Sequence, residues 1–424
     1  MIALKEEKGL RKLRIQQYRK FDPALYLRLL KLSRKLKGKT VFHINATPNG
    51  GGVAEMLRTQ IPLERSLGLK SRWFTLQAPP DFFEITKKIH NLLQGGWGEL
   101  KKSEKKKYLA ANLKFAQALL KFSKNSSGLF MIHDPQPAAL AAALFRGTPA
   151  VLRLHLDLTS PDLKVFKFLG LSFPAYRKIV VSNPAFKKAF PHALRSKLAV
   201  IPPAIDPFSE KNRPFGLSRA RRLLKNFGID GTRPLFAQVS RFDPWKDPLG
   251  VLKIFKIVRQ KLPSSQLVLA GFIVAADDPE ARRIFEKVKR AAGKIPKVLL
   301  FADPRELGKI SNDLFINALF TASDAIIQKS KREGFGLTVT EAMWKGKVVV
   351  AGRTAGTALQ ITNGKNGFLV ASVPAGAAAL LRLVKNKKLR NRLGRQARQS
   401  VQKRFLFPRL LLDHLKLYAA CYNT

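Results

Sequence analysis

Apolar runs of three to five residues, set off by Gly, Pro and Asn, punctuate this chain and alternate with longer stretches whose apolar positions recur at helical spacing. The runs at 41–44, 129–132, 151–154, 179–181 and 198–201 predict buried strands, and the stretches at 53–67, 101–121 and 137–145 predict helices between them. Strand and helix in turn is the pattern of a parallel sheet covered on both faces. Prolines and polar residues over 202–214 interrupt the rhythm and mark a linker. The alternation resumes with strands at 235–239, 266–270, 298–301, 325–328 and 348–351, and with helices at 249–262, 278–292 and 338–345. Ahead of the first strand, residues 1–38 form a basic, helical lead that caps the molecule through Leu25, Leu29, Leu30 and Leu32. The fold class is therefore α/β: two doubly wound, Rossmann-like domains, 39–213 and 214–404, facing each other across a cleft. A final helix at 405–424 has the option of crossing back to the first domain. In such sheets ligands bind beyond the carboxyl ends of the strands, so those loops are where chemistry is expected.

A chain of 424 residues exceeds what one core organises, which agrees with two domains. Lys and Arg number 78 against 28 Asp and Glu, a formal charge of +50. That excess favours anionic partners, but a general bias toward basic residues, or a high-salt interior, accounts for it equally. Nucleic acid is the weaker choice among them, because no aromatic-and-basic recognition motif or zinc finger accompanies the charge. Cys421 is the only cysteine, which excludes an intrachain disulfide and leaves a zinc cluster or thiol nucleophile without support. The N-terminus lacks the apolar core of a signal peptide, and the longest apolar run, 138–145, is too short for a bilayer, so a cytoplasmic protein, soluble or peripheral, is expected.

The stretch 331–347, KREGFGLTVTEAMWKGK, carries the most chemistry. Gly334 and Gly336 remove side chains where a ligand approaches the backbone, and the helix start after them offers amides to a phosphate or diphosphate. Glu333 and Glu341 would repel that phosphate, so hydroxyls such as those of a ribose and a sugar ring suit them better. The loop reads as a nucleotide-sugar site, with plain loop chemistry as the alternative. Similar logic applies at 45–55, NATPNGGGVAE, where Gly50, Gly51 and Gly52 join a strand to a helix in a spacing that is neither Gly-x-Gly-x-x-Gly nor a P-loop. A tight turn explains those glycines as well as a ligand does. The segment 240–248, SRFDPWKDP, puts Arg241 and Lys246 at a strand's carboxyl end, where two cations can clamp a diphosphate leaving group or simply face water. His133 and Asp134 in HDPQP, and His155 in RLHLD, sit at strand ends of the first domain, placed for sugar hydroxyls or for structural hydrogen bonds. Asp277 and Asp278 before Pro279 read as a helix N-cap rather than a metal site.

These segments together resemble the retaining glycosyltransferases of the GT-B fold with two glutamates eight positions apart, here Glu333 and Glu341. Within them, HINATPNGGGVAEML, DFFEITKKIHNLLQG, HDPQP, IPPAIDPFSEKN, VSRFDPWKDPLGV and QKSKREGFGLTVTEAMWKGK resemble, in order, the branch of trehalose glycosyltransferring synthases and trehalose phosphorylases. The resemblance implies a donor nucleotide held mainly by the second domain, with Arg241 and Lys246 on its diphosphate and Glu341 on its ribose. Glu333 and the amides of Gly334, Phe335, Gly336 and Leu337 would hold the donor glucose, and Arg241, Lys246 and Glu333 would carry the catalysis. Gly51 and Gly52 would approach the donor phosphate, and His133, Asp134 and His155 would line the acceptor side. No cofactor and no metal are implied; the partners are a nucleoside diphosphate glucose and a sugar acceptor. The implied reaction moves glucose to glucose, giving trehalose with retained configuration. A trehalose phosphorylase, or a transferase for a lipid or other sugar acceptor on an anionic membrane surface, stands beside it, and a homodimer is left open. The chain departs from the branch over 351–370 and in its basic ends.

Overall fold

The structure, a computed structural model, describes residues 2–49, 51–123, 128–144, 149–272 and 279–422. Gly50, Asp277 and Asp278 lie outside them, as do the last residue of the expected helix at 137–145 and the first of that at 278–292. The chain divides into two units: Met1–Ala204 with Phe407–Thr424, and Ile205–Leu406.

Strands of the first unit are β1 (Ala3–Glu6), β2 (Thr40–Asn45), β3 (Lys70–Gln77), β4 (Gly128–His133), β5 (Ala150–Leu154), β6 (Lys178–Val181) and β7 (Leu198–Val200). They form one sheet in the order β1-β3-β2-β4-β5-β6-β7, parallel except where β1 runs antiparallel to β3. Every residue of β2, β4 and β5 is buried, as strands covered on both faces require. The chain steps from β2 to β3 on one side and then to β4 on the other, so the topological switch lies at β2 and β4.

Two expectations fail here and one strand goes unread, each for a physical reason. The lead 1–38 is not one helical cap: its first residues are drawn into β1 by backbone pairing with Phe74–Gln77, and only Pro23–Arg34 is α-helix, capped by the Asp22 carboxylate accepting from the Leu25 amide at 2.9 Å. That helix buries Tyr26, Leu29 and Ser33 rather than the four leucines as a set. The segment 137–145 gives a short 3₁₀ turn, Leu140–Ala143. Tyr176 donates to Ala138 O at 2.6 Å and Tyr108 to Pro135 O at 2.7 Å, occupying carbonyls that an α-helix would need. Finally β3, with Arg72 in its middle and alternating burial at its start, is a strand that a search for continuous apolar runs passes over.

The second unit has β8 (Leu235–Val239), β9 (Gln266–Ala270), β10 (Val298–Phe301), β11 (Ala325–Gln328), β12 (Val348–Gly352) and β13 (Phe368–Val370), all parallel, in the order β10-β9-β8-β11-β12-β13. Phe236, Val251, Phe255, Leu267, Val348 and Leu380 are buried in its core. Its switch point falls between β8 and β11. The proline-bearing segment read as a linker belongs largely to this unit, so the first boundary moves from 213/214 to 204/205 and the second from 404/405 to 406/407. Its backbone carbonyls are the cause: Asn317 Nδ2 donates to Glu210 O at 2.6 Å and Arg213 O at 3.0 Å, and the Trp344 indole donates to Asn212 O at 3.2 Å.

Candidate active site

Because β8 and β11 are neighbours, the loops that leave their carboxyl ends start side by side. Gln328 Nε2 donates to Val239 O at 2.6 Å, and Gln238 Nε2 to Lys246 O at 2.9 Å, so the end of each strand holds the other loop's origin or its own return. The Lys331 amide donates to Trp245 O at 2.7 Å. Asp247 adopts a left-handed backbone (φ 49°), caps the helix Pro248–Lys261 through the Gly250 amide, and lies 3.4 Å from Lys329 Nζ and 3.5 Å from Lys331 Nζ. At the centre of the two loops Lys246 Nζ meets Glu333 Oε2 at 2.5 Å, with both side chains mostly buried. The structure thus brings Lys246 and Glu333 together. Arg241 stands apart from that pair, its side chain 67% exposed and its guanidinium 3.2 Å from Asp243.

After Glu333 the backbone turns through Gly336 at φ 85°, where glycine is required, and enters the helix Leu337–Trp344. A Cβ on Gly336 would also lie 3.1 Å from the Glu333 carboxyl carbon. Glu341 follows in the second turn, 1% exposed, with Lys211 Nζ at 2.8 Å. The two glutamates therefore answer to different cations. Lys211 is a residue that sequence reasoning missed, since it lies in the supposed linker and nothing local marks it. Gly356 was missed too: its amide donates to Glu333 O at 3.0 Å, and a Cβ there would meet Glu333 O at 2.6 Å and the Phe335 amide nitrogen at 2.7 Å. A glycine in the first turn of the short helix Ala355–Gln360 was the available signal.

In the first unit, Gly51 caps the helix Gly52–Ser66 in extended backbone (φ −170°), with open space where a Cβ would stand. Neither conformation nor packing demands glycine there. His133 ends β4 and His155 follows β5; Asp134 between them, at φ 67°, donates its amide to Arg153 O at 2.8 Å and accepts the His155 amide on its carboxylate at 2.7 Å. The three residues expected on the acceptor side are brought together. His155 Nε2 lies 3.0 Å from His133 Nδ1, His133 Nε2 lies 3.2 Å from His43 Nδ1, and His43 Nε2 lies 2.9 Å from Glu64 Oε2. His43 and Glu64 escaped notice, although a histidine inside an apolar strand and Gln60 paired with Glu64 one helical turn apart were visible signs. Burial holds the His133 and His155 rings well below the usual histidine range, reinforced for both by the nearby Arg153 charge. Burial alone would raise Glu64; its close contact with the His43 ring, with hydrogen bonds from Gln60 and Ser71, outweighs that and keeps the carboxyl below its ordinary value. Burial pushes Asp134 up to about 7.

Among the described residues no group of three or more His, Cys, Asp or Glu side chains is arranged to hold a metal ion, and no helix is long and apolar enough to cross a membrane.

Residues 43–188 match the family described as "Trehalose synthase, N-terminal domain", and residues 220–400 match "Glycosyl transferases group 1". The chain is 40% identical over 398 residues to a trehalose synthase of Rubrobacter xylanophilus, covering 93% of this chain and 94% of that one. It is 27% identical to a trehalose phosphorylase of Pleurotus pulmonarius, over 80% of this chain but only 51% of that protein. An α,α-trehalose-phosphate synthase (UDP-forming) from Burkholderia xenovorans, solved in complex with glucose-6-phosphate, superposes with a TM-score of 0.73 at 14% identity, over 91% of this chain and 100% of that one, a likeness of fold, GT-B.

Proposed function

The chain belongs to the trehalose synthase family of group 1 glycosyltransferases, and on that premise we propose that it moves glucose from a nucleoside diphosphate donor to free glucose, forming trehalose with the donor's anomeric configuration retained. The observation that carries the reading is the 40% identity along nearly the whole of both chains, against a match to about half the length of the phosphorylase. The site chemistry supports it. Cleaving the bond from the anomeric carbon to a diphosphate develops positive charge on the sugar and negative charge on the departing oxygen. Lys246 and Arg241 are the cations assigned to the departing diphosphate, and the amides of Gly334, Phe335, Gly336 and Leu337 join them at a helix start.

Glu333, fixed by its 2.5 Å contact with Lys246, is assigned to the hydroxyls of the donor glucose, and the link ties the sugar's position to that of its leaving group. Glu341, held by Lys211, is assigned to the ribose. Gly51 and Gly52 are assigned to the donor phosphate, and His133, Asp134 and His155 to hydroxyls of the acceptor. No step is given to a metal or cofactor, and the partners are two small molecules, encountered in the cytoplasm.

The test is a reaction with NDP-glucose donors and free glucose, the sugars resolved by chromatography, beside a reaction of trehalose with inorganic phosphate. Trehalose and NDP formed together establish the synthase and name the base. Glucose 1-phosphate formed only from trehalose and phosphate would replace the proposal with a phosphorylase. Co-sedimentation with acidic vesicles at physiological salt would instead direct attention to a lipid acceptor.

A further inference from the structure

The file of three imidazoles in the first unit has a direction. It crosses three adjacent strands, from His155 after β5 through His133 on β4 to His43 on β2, and ends on Glu64 in the helix Gly52–Ser66. His43, His133 and Glu64 are 0% exposed, while His155 at the outer end is partly exposed. Glu64 also accepts from Ser71 Oγ at 2.7 Å on Oε2 and from Tyr418 Oη at 2.8 Å on Oε1. A carboxylate can only accept, so His43 Nε2 must carry a hydrogen. A neutral His43 then has a bare Nδ1, which accepts from His133 Nε2–H. The bare Nδ1 of His133 accepts in turn from His155 Nε2–H. His155 is left with a bare Nδ1 as its remaining ring nitrogen.

An imidazolium at His43 would reverse every bond in the file, but burial and the nearby charge of Arg153 oppose it. Arg153, 1% exposed and bonded to His414 Nε2 and Ile201 O, faces the same cluster; burial pushes its pKa down only to about 10, so it stays charged. The cluster thus already holds one buried cation; burial, together with that charge, presses the His133, His155 and His414 rings toward the neutral form, and a second cation in the same file is costly.

We propose that Glu64 is a positioning residue that sets the tautomer of the whole file, so that His155 presents a bare Nδ1 and accepts a hydrogen bond from an acceptor-sugar hydroxyl. The contact with the sugar rests on the acceptor role assigned to His155 above; the tautomers do not. Discrimination then comes from requiring a hydroxyl hydrogen at one point of the acceptor, where a group that can only accept is rejected.

Histidine-selective ¹⁵N labelling of the full chain, with six histidines to resolve, reads which ring nitrogen is protonated without reference to turnover. At neutral pH, His43, His133 and His155 are expected as Nε2–H tautomers; Nδ1–H or a doubly protonated ring at any of the three would overturn the proposal. In Glu64→Gln the amide nitrogen donates to His43, and all three rings are expected to convert to Nδ1–H. Tyr418→Phe removes a donor to the other oxygen of Glu64 and should loosen the fold while leaving the tautomers unchanged. In Glu64→Gln the KM for the acceptor should rise roughly tenfold or more with the donor KM unmoved. Tautomers as stated with an unmoved acceptor KM would overturn the sugar contact of His155 and leave the direction of the file in place.

Discussion

Lys211→Met should destabilise the second unit by about 3 kcal/mol, the lower end of what deleting one partner of a buried ion pair costs. The estimate follows from the geometry: Nζ lies 2.8 Å from Glu341 Oε1, with the side chains 12% and 1% exposed, so little water reaches the carboxylate in place of the ammonium. Methionine keeps the stem's apolar packing, which isolates the charge from the loss of the chain. Urea unfolding followed by tryptophan fluorescence suits the measurement, since Trp344 donates to the carbonyl of Asn212, next to Lys211. The double variant Lys211→Met with Glu341→Gln should recover most of the loss, because the neutral amide no longer requires a cation. Donor KM should rise in Lys211→Met, since a carboxylate without this lysine no longer has a fixed position for the ribose. A single variant within about 0.5 kcal/mol of the parent, or a double variant whose losses simply add, would refute the reasoning.

Gly51→Ala should leave stability unchanged or raise it by up to about 1 kcal/mol, because backbone and space both admit the methyl, while kcat/KM for the donor falls by roughly tenfold or more; thermal melts and donor kinetics decide, and full activity would remove Gly51 from the site. Arg241→Ala deletes an exposed contact and should cost under about 1 kcal/mol, yet lower kcat about 100-fold if the guanidinium meets the leaving diphosphate; full turnover would sink that role. Asp134 has its pKa raised to about 7, above its unfolded value, so the folded state binds the extra proton and stability falls as pH rises from about 4 through 7. Asp134→Asn should therefore gain in Tm relative to the parent between pH 5 and pH 8, and parallel Tm curves would contradict the assignment.

What the sequence disclosed and what it withheld divide along the range of the interactions. The apolar runs announced β2, β4, β5 and most of the second sheet because a doubly covered parallel strand needs no partner to be recognised. Strand β1 and the turn at 140–143 needed partners: one exists through pairing with β3, the other through two tyrosine hydroxyls from elsewhere in the fold. The site divides in the same way. Glu333, Lys246 and the glycines were legible because loops at strand ends are where such residues collect, and the adjacency of β8 and β11 then joined Lys246 to Glu333. Their supports were not legible. Lys211 stands in a proline-bearing segment, Gly356 in a short helix, and Glu64 on the buried side of a long one, where a glutamate gives no hint of what it accepts until the file of histidines is closed. Local rules therefore locate the groups that face a ligand, whereas the residues that fix their charge and their hydrogens emerge only when distant segments of one unit meet. For that reason the sharpest tests of this enzyme lie at Lys211 and Glu64, whose loss should change how a neighbouring group presents itself rather than remove the group.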